Sequence, residues 1–178
     1  MSGSNGNGKV FWGKYRGIVM NNIDPLLKGR LLVQVPDVLS LTPSSWAEPC
    51  VPLAGPTGPP MGVYMVPPIG AGVWVEFEQG DPEKPIWVGC RWGLPTDVPP
   101  LAHLGLPISP NIVLQTAGQN SLVISDLPGP TGGIMLKSTT GATLIVNDTG
   151  IYIQNGKGAS LIMTGPTVTI NMGALTVV

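Results

Sequence analysis

From residue 111 onward the chain repeats one short apolar pattern eight times, and this repetition restricts the fold more than any other feature. Each repeat is a pair of aliphatic residues two positions apart, with turn-forming residues between successive pairs. Residues two apart lie on the same side of a β-strand, so each pair predicts a minimal strand with one buried face. Tandem arrays of such short strands are typical of solenoids rather than of globular sandwiches. The pairs are Ile112/Leu114, Leu122/Ile124, Ile134/Leu136, Leu144/Val146, Ile151/Ile153, Leu161/Met163, Val168/Ile170 and Leu175/Val177.

A module made of such strands buries little within one chain. Each strand offers only two side chains to a core, and chains with too small a core need staples or oligomerisation. If three chains wrap around one axis, the pairs form a continuous apolar column, in which each buried side chain contributes roughly 1.5–3 kcal/mol before the entropy cost. The sequence therefore predicts an intertwined trimeric β-helix at residues 111–178, with the first seven pairs in the trimer core. A single-chain β-solenoid with longer coils is the alternative geometry.

Residues 10–94 predict a different β-structure. This half carries all five Trp residues, and its short apolar runs are separated by Gly- and Pro-containing turns. Side chains alternate between the two sides of a strand at 73–78, with Val73, Val75 and Phe77 on one side and Trp74, Glu76 and Glu78 on the other. Five short strands in such a segment indicate a small closed barrel, because closure removes exposed strand edges.

The Pro-rich segment 95–110 divides the two modules. Five of its sixteen residues are Pro, which stiffens the backbone and removes donors from any strand ladder. Residues 1–9 are Gly-, Ser- and Asn-rich and predict a flexible tail without the apolar region of a secretory signal. The predicted all-β chain thus has an N-terminal tail at 1–9, a barrel domain at 10–94, a linker at 95–110 and a β-helix spike at 111–178.

The overall charge excludes several partners. With a net charge of −1, the chain is not expected to bind nucleic acid or anionic lipid through a general electrostatic attraction. It has no run of eighteen apolar residues that would span a membrane. We expect the protein to be made and assembled in the cytoplasm.

Cys50 and Cys90 are predicted to be small buried hydrophobic residues, although a disulfide between neighbouring barrel strands is an open alternative.

No catalytic, cofactor or metal site is predicted. Glu76 and Glu78 face the same side of a strand, but near other acidic residues they are expected to form a solvated surface rather than an acid–base pair. His103, the single histidine, lies among prolines without a companion at motif spacing.

Aromatic and basic residues leave a binding function as the alternative. A barrel can hold a glycan or a single strand on exposed aromatic residues beside basic ones. Two groups of residues have this composition, although barrel core and collar contacts explain them more simply. They are Trp12, Tyr15 and Arg16, and Trp87, Arg91 and Trp92.

Several motifs of the first module occur together in one order. They are Tyr15-Arg16-Gly17-Ile18-Val19, Asp24-Pro25, Gly29-Arg30, Val33-Gln34-Val35-Pro36, Trp46-Ala47, Ala54-Gly55, Pro67-Pro68-Ile69-Gly70, Val73-Trp74-Val75-Glu76-Phe77-Glu78-Gln79-Gly80-Asp81-Pro82 and Pro85-Ile86-Trp87-Val88-Gly89. This order resembles the OB-fold domain of contractile-tail spike proteins. The family is the phage baseplate assembly protein V type, related to the spikes of type VI secretion and extracellular contractile injection systems. The second module resembles the β-helix of the same family in its periodicity.

The resemblance implies a structural protein in the baseplate of a phage virion or contractile injection particle. It implies a homotrimer whose OB domains form a collar under the hub protein and whose β-helix is driven through a target cell membrane on contraction. The linker is too short for the lysozyme domain of some relatives, and the chain lacks the His-x-His iron site of others. Many relatives receive a PAAR-type tip protein on a blunt apolar end. Since no charged residue follows Lys157, the expected docking residues are Leu175, Val177 and Val178.

Overall fold

A computed structural model of the chain describes residues 8–55 and 58–177. The chain folds into two compact units, Met1–Gly93 and Leu94–Val178. Both are built mainly from β-strands, which confirms the predicted all-β class. The predicted tail at residues 1–9 lies, apart from Gly8 and Lys9, outside the described residues.

No helix in the described part of the chain is both long and apolar enough to cross a membrane.

Over residues 8–55 and 58–93, the first unit contains five strands and one α-helical turn. They are β1 Tyr15–Asn21, β2 Leu32–Gln34, α1 Pro36–Leu39, β3 Glu48–Pro49, β4 Gly72–Phe77 and β5 Pro85–Arg91. The sheet order is β2-β1-β4-β5-β3, with β3 parallel to β5 and the other neighbours antiparallel. A 3-10 turn at Glu78–Gly80 follows β4.

Backbone hydrogen bonds close this sheet into a ring. Leu31 and Ala47, which precede β2 and β3, exchange N–H···O bonds of 3.1 and 2.8 Å. The Ser44 N–H also donates to the Val33 carbonyl at 2.8 Å. These bonds join the two outer strands of the sheet order, so little free edge remains. The small barrel predicted for this half is therefore present.

The barrel interior is filled by alternate strand residues. Val73, Val75 and Phe77 of β4 point inward, as the sequence alternation predicts. Trp87 of β5 is only 5% exposed and packs in the same cluster. The full cluster is Val19, Leu31, Val33, Val35, Ala47, Val73, Val75, Phe77 and Trp87.

The two cysteines do not join this core. Both Cys50 and Cys90 are exposed free thiols, so the prediction of buried cysteines is wrong. Cys50 follows the two-residue strand β3, and Cys90 is the penultimate residue of β5. At these strand ends the barrel core no longer covers the side chains.

The loop between β1 and β2 is built around an ion pair. The Asp24 side chain is 3% exposed and the Arg30 side chain 14%. The Arg30 guanidinium donates to Asp24 Oδ1 through Nη2 at 2.7 Å and Nε at 3.0 Å. The backbone N–H groups of Leu26, Lys28 and Arg30 also donate to this carboxylate. The Arg30 contact, helped by these amides, holds the pKa of Asp24 well below its usual range.

The low pKa of Asp24 makes the stability of the barrel sensitive to acid. The unfolded-state value is 3.8, so the ionised carboxylate stabilises the fold above that pH, and this stabilisation is lost as the pH falls through the lower folded-state pKa. We expect the melting temperature to fall more steeply from about pH 4 to about pH 2 in the wild type than in Asp24→Asn, which has no proton to bind here. Thermal unfolding followed by circular dichroism across this pH range tests the prediction. An equal decrease of melting temperature with pH in the two proteins would contradict it.

Up to residue 177, the second unit contains eight short strands. They are β6 Ile112–Gln115, β7 Ser121–Ser125, β8 Gly133–Lys137, β9 Thr143–Asn147, β10 Gly150–Gln154, β11 Ser160–Thr164, β12 Thr167–Ile170 and β13 Leu175–Val177. Short 3-10 turns lie at Pro95–Asp97, Pro100–Leu104, Gly129–Thr131 and Asn171–Gly173.

These eight strands form one antiparallel meander. Each strand pairs with its neighbours in sequence, from β6 at one edge to β13 at the other. The turns between them carry the expected polar residues and glycines: the Asn147 side-chain oxygen accepts from the N–H groups of Thr149 and Gly150, and Gly141 has a φ of 90°. Each predicted aliphatic pair falls within one of the eight strands, and the single chain forms a sheet rather than the coils of a solenoid.

Candidate interaction surface

The strand register places the aliphatic pairs in two columns on one face of the second unit. Residues directly opposite each other on paired strands lie on the same face, and each strand contributes one residue to each column. The first, here the Ile/Val column, runs through Ile112, Ile124, Ile134, Val146, Ile151, Met163, Val168 and Val177. The second, here the Leu column, runs through Leu114, Leu122, Leu136, Leu144, Ile153, Leu161, Ile170 and Leu175. Together they form the paired face.

The chain does not bury the paired face by itself. Among its residues whose side chains are described, none is buried, and Ile112, Leu114 and Leu175 are 63%, 54% and 55% exposed. In the barrel, by contrast, Val73 and Val75 are fully buried. Aliphatic side chains gain free energy when they leave water, so this surface favours association with a partner.

Charged residues are absent from the paired face. Every strand position on it is Ile, Leu, Val or Met. The four charged residues after residue 110 lie elsewhere: Lys137 is on the opposite face of β8, and Asp126, Asp148 and Lys157 lie in connections between strands. Such a surface suits a dry interface, because no charge has to be desolvated on contact.

The opposite face of the sheet is partly covered by its own chain. Val123 is 4% exposed and is the one buried hydrophobic residue that the structure describes in this unit. Leu101, Leu104 and Leu127 line a cavity of about 440 Å³ together with Val123 and Met135. A central apolar row on this face runs between two rows that are mostly polar. It contains Val113, Val123, Met135, Ile145, Tyr152 and Ile162.

The residues expected to dock a tip protein lie at the last strand. β13 is the outermost strand at one edge of the sheet, and Leu175 within it is exposed. Val177 pairs with Val168 and continues the Ile/Val column. Val178 lies outside the described residues.

The acidic and histidine candidates lie on separate elements. Glu76 lies in β4 beside Lys14, with which it forms an exposed ion pair. Glu78 begins the 3-10 turn after that strand, and His103 lies in the turn Pro100–Leu104 of the other unit. Within residues 8–55 and 58–177, no three His, Cys, Asp or Glu side chains are grouped as metal ligands.

The aromatic groups considered for ligand binding are divided between core and surface. Trp87 is buried, and its indole N–H donates to the Gly29 carbonyl at 3.1 Å, so this ring cannot stack on a ligand. The Tyr15 hydroxyl donates to the Trp12 carbonyl at 3.1 Å, while the Trp12 ring itself is exposed. Trp92 is 63% exposed.

Two protein families match the chain in sequence order. Residues 15–92 match the type VI secretion system/phage-baseplate injector OB domain, and this range contains the whole closed barrel. Residues 111–176 match the phage baseplate V C-terminal trimerisation domain, which covers the strands that carry the paired face. A comparison with curated proteins gave no match. Both families are structural components of baseplates. The second is a trimerisation domain, and it matches the part of this chain in which the described side chains of the paired face are not buried.

Proposed function

Because the chain belongs to the phage baseplate V family of contractile-tail spike proteins, we propose that it is the central spike of a contractile injection machine. Three copies form a homotrimer that links the baseplate hub to a tip protein. On contraction of the sheath, the spike passes through the envelope of the target cell. The protein acts through its shape and stiffness and not through a chemical reaction.

The paired face is the observation that carries this proposal. An exposed aliphatic sheet face is energetically unfavourable in water. Three copies of the chain can cover their paired faces with one another. We propose that each chain supplies one wall of a triangular β-helical needle, with the paired face inward. Seven strand spacings of about 4.8 Å give an apolar interior about 34 Å long. Leu175 and Val177 on the last strand, together with the following residue Val178, are the proposed docking site for the tip protein.

The opposite face supports this orientation of the sheet. Its polar rows include Gln115, Lys137 and Gln154, which hydrate well, and its apolar centre is already partly covered near Val123. Turning this face inward would bury Lys137 from three chains at one level, at a cost of several kcal/mol per charge. The outward position avoids that cost.

The mass in solution tests the proposed trimer. Size-exclusion chromatography with light scattering at micromolar concentration is expected to give about 55 kDa, three times the 18.5 kDa chain. The same mass should persist in high salt, because an aliphatic interface is not screened by ions. A mass of 18.5 kDa would disprove the proposed function.

A further inference from the structure

The two columns of the paired face differ in side-chain shape. Seven of the eight residues in the Ile/Val column are β-branched, and Met163 is the exception. Six of the eight in the Leu column are Leu, and Ile153 and Ile170 are the exceptions. β-Branched side chains are stiff and broad next to the backbone, whereas Leu branches one carbon further out. The meander therefore sorts two shapes into separate lines along the sheet.

Sorting of this kind specifies how chains associate. In coiled coils, β-branched residues at one core position and Leu at the other select the number of strands, because each position meets its neighbour at a different angle. The two columns here offer the same kind of distinction. Five of the eight strands, β6 to β9 and β13, present one side chain of each shape, for example Ile134 and Leu136 on β8.

We propose that, in the trimer, the Ile/Val column of each chain packs against the Leu column of the next chain, strand for strand at the same level. This inference rests on the proposed homotrimer and specifies its interface. In a cyclic trimer the contact between neighbours is heterologous: one patch of a chain meets a different patch of the next. Three walls with two columns each place six side chains around the axis at every level, in strict alternation of the two columns. At the five levels that carry both shapes, each corner then joins a β-branched residue to a Leu.

Other ways to cover the paired face predict other contacts. In a dimer whose two-fold axis is parallel to the strands, each column would pack against the same column of the partner. The strand order would be reversed, so that the first strand of one chain faces the last strand of the other. In a dimer whose two-fold axis is parallel to the columns, unlike columns would pack together at the same level, as in the proposed trimer, but the particle would contain two chains. The three arrangements therefore differ in which columns meet between chains and in the mass of the particle.

Disulfide cross-linking of the full-length protein tests the proposal. Cys50→Ser and Cys90→Ser first remove the two exposed native thiols. One chain then carries Ile134→Cys and a second, differently tagged chain carries Leu136→Cys, and the two are co-expressed. Because a disulfide requires Cβ atoms about 3.5–4.5 Å apart, only a corner contact at this level can link them. We expect covalent dimers inside a particle that still has the trimer mass, and no covalent product from either variant alone.

Two further pairs of variants serve as controls. One tests whether cross-linking requires the same strand level, and the other guards against poor folding of the first variants. Pairing Ile134→Cys with Leu175→Cys places the thiols five strands apart, about 24 Å, and should abolish the product. The pair Ile124→Cys and Leu122→Cys on β7 repeats the test at another level, in case the first variants fold poorly. If a trimer forms but like variants cross-link as well as unlike ones, the column pairing is wrong and the proposed function stands. If the unsubstituted chain is monomeric or dimeric, the proposed trimer itself fails.

Discussion

Replacing Leu136 and Leu144 with aspartate is expected to convert the trimer into monomers while the barrel stays folded. The two residues are directly opposite on β8 and β9 in the Leu column, so a trimer would enclose six carboxylates at adjacent levels. Burying an unpaired carboxylate costs several kcal/mol, and every 1.4 kcal/mol weakens association about tenfold. At roughly 3 kcal/mol for each charge, each substituted site would weaken association by more than about a hundredfold.

Light scattering measures the change in mass, and tryptophan emission reports on the barrel. All five Trp residues lie in the first unit, so an unchanged emission spectrum shows that the barrel has kept its fold. The matched control is Gln154→Asp with Thr164→Asp, which adds the same charge to exposed positions on the opposite face of β10 and β11. The control should stay trimeric. A trimer mass for the Leu136/Leu144 variant would show that the paired face is not the interface.

Trp87→Ala is expected to destabilise the barrel by about 3–5 kcal/mol, as is usual for removing a large aromatic side chain from a core. Trp87 packs against the buried cluster, and its N–H bonds the Gly29 carbonyl, so the substitution leaves both a cavity and an unpaired acceptor. Domains are stable by only about 5–15 kcal/mol, so this loss is a large part of the total. Urea titrations followed by ellipticity measure it.

Trp92→Ala is the matched control for this substitution. Trp92 is five residues further along and 63% exposed, so its removal should change the free energy of unfolding by no more than about 0.5 kcal/mol. Similar losses for the two variants would mean that Trp87 does not pack in the core as described.

Periodicity alone predicted the elements that depend on local alternation. The inward residues of β4 followed from the alternation at 73–78, and each of the eight aliphatic pairs marked a strand. Both patterns are properties of single strands, which a sequence shows directly. The pairing of Leu31 with Ala47, which closes the barrel, joins residues sixteen apart across a loop and leaves no comparable periodic signal.

The side-chain network of Asp24 was only partly visible in the sequence. Asp24-Pro25 and Gly29-Arg30 both stood out as motifs, but the sequence does not show that the Arg30 guanidinium meets the Asp24 carboxylate after the loop has turned back. The exposure of Cys50 and Cys90 depends on where the barrel core ends, which composition does not reveal.

The two columns did leave a signal in the sequence. Over the first four pairs the order inverts from one pair to the next: Ile112 precedes Leu114, whereas Leu122 precedes Ile124. This inversion keeps like residues aligned only when successive strands run in opposite directions. The inversion therefore indicates two aligned columns only if neighbouring strands are antiparallel, and the β-helix prediction did not assume this.

Strand direction also limits how the second unit can change in length during evolution. Gain or loss of a complete hairpin restores the direction of the chain and keeps each column in line, while the length of the sheet changes by about 10 Å. Gain or loss of a single strand would reverse all the strands that follow and exchange their two shapes across the sheet. Homologues of different reach are therefore expected to differ by even numbers of strands.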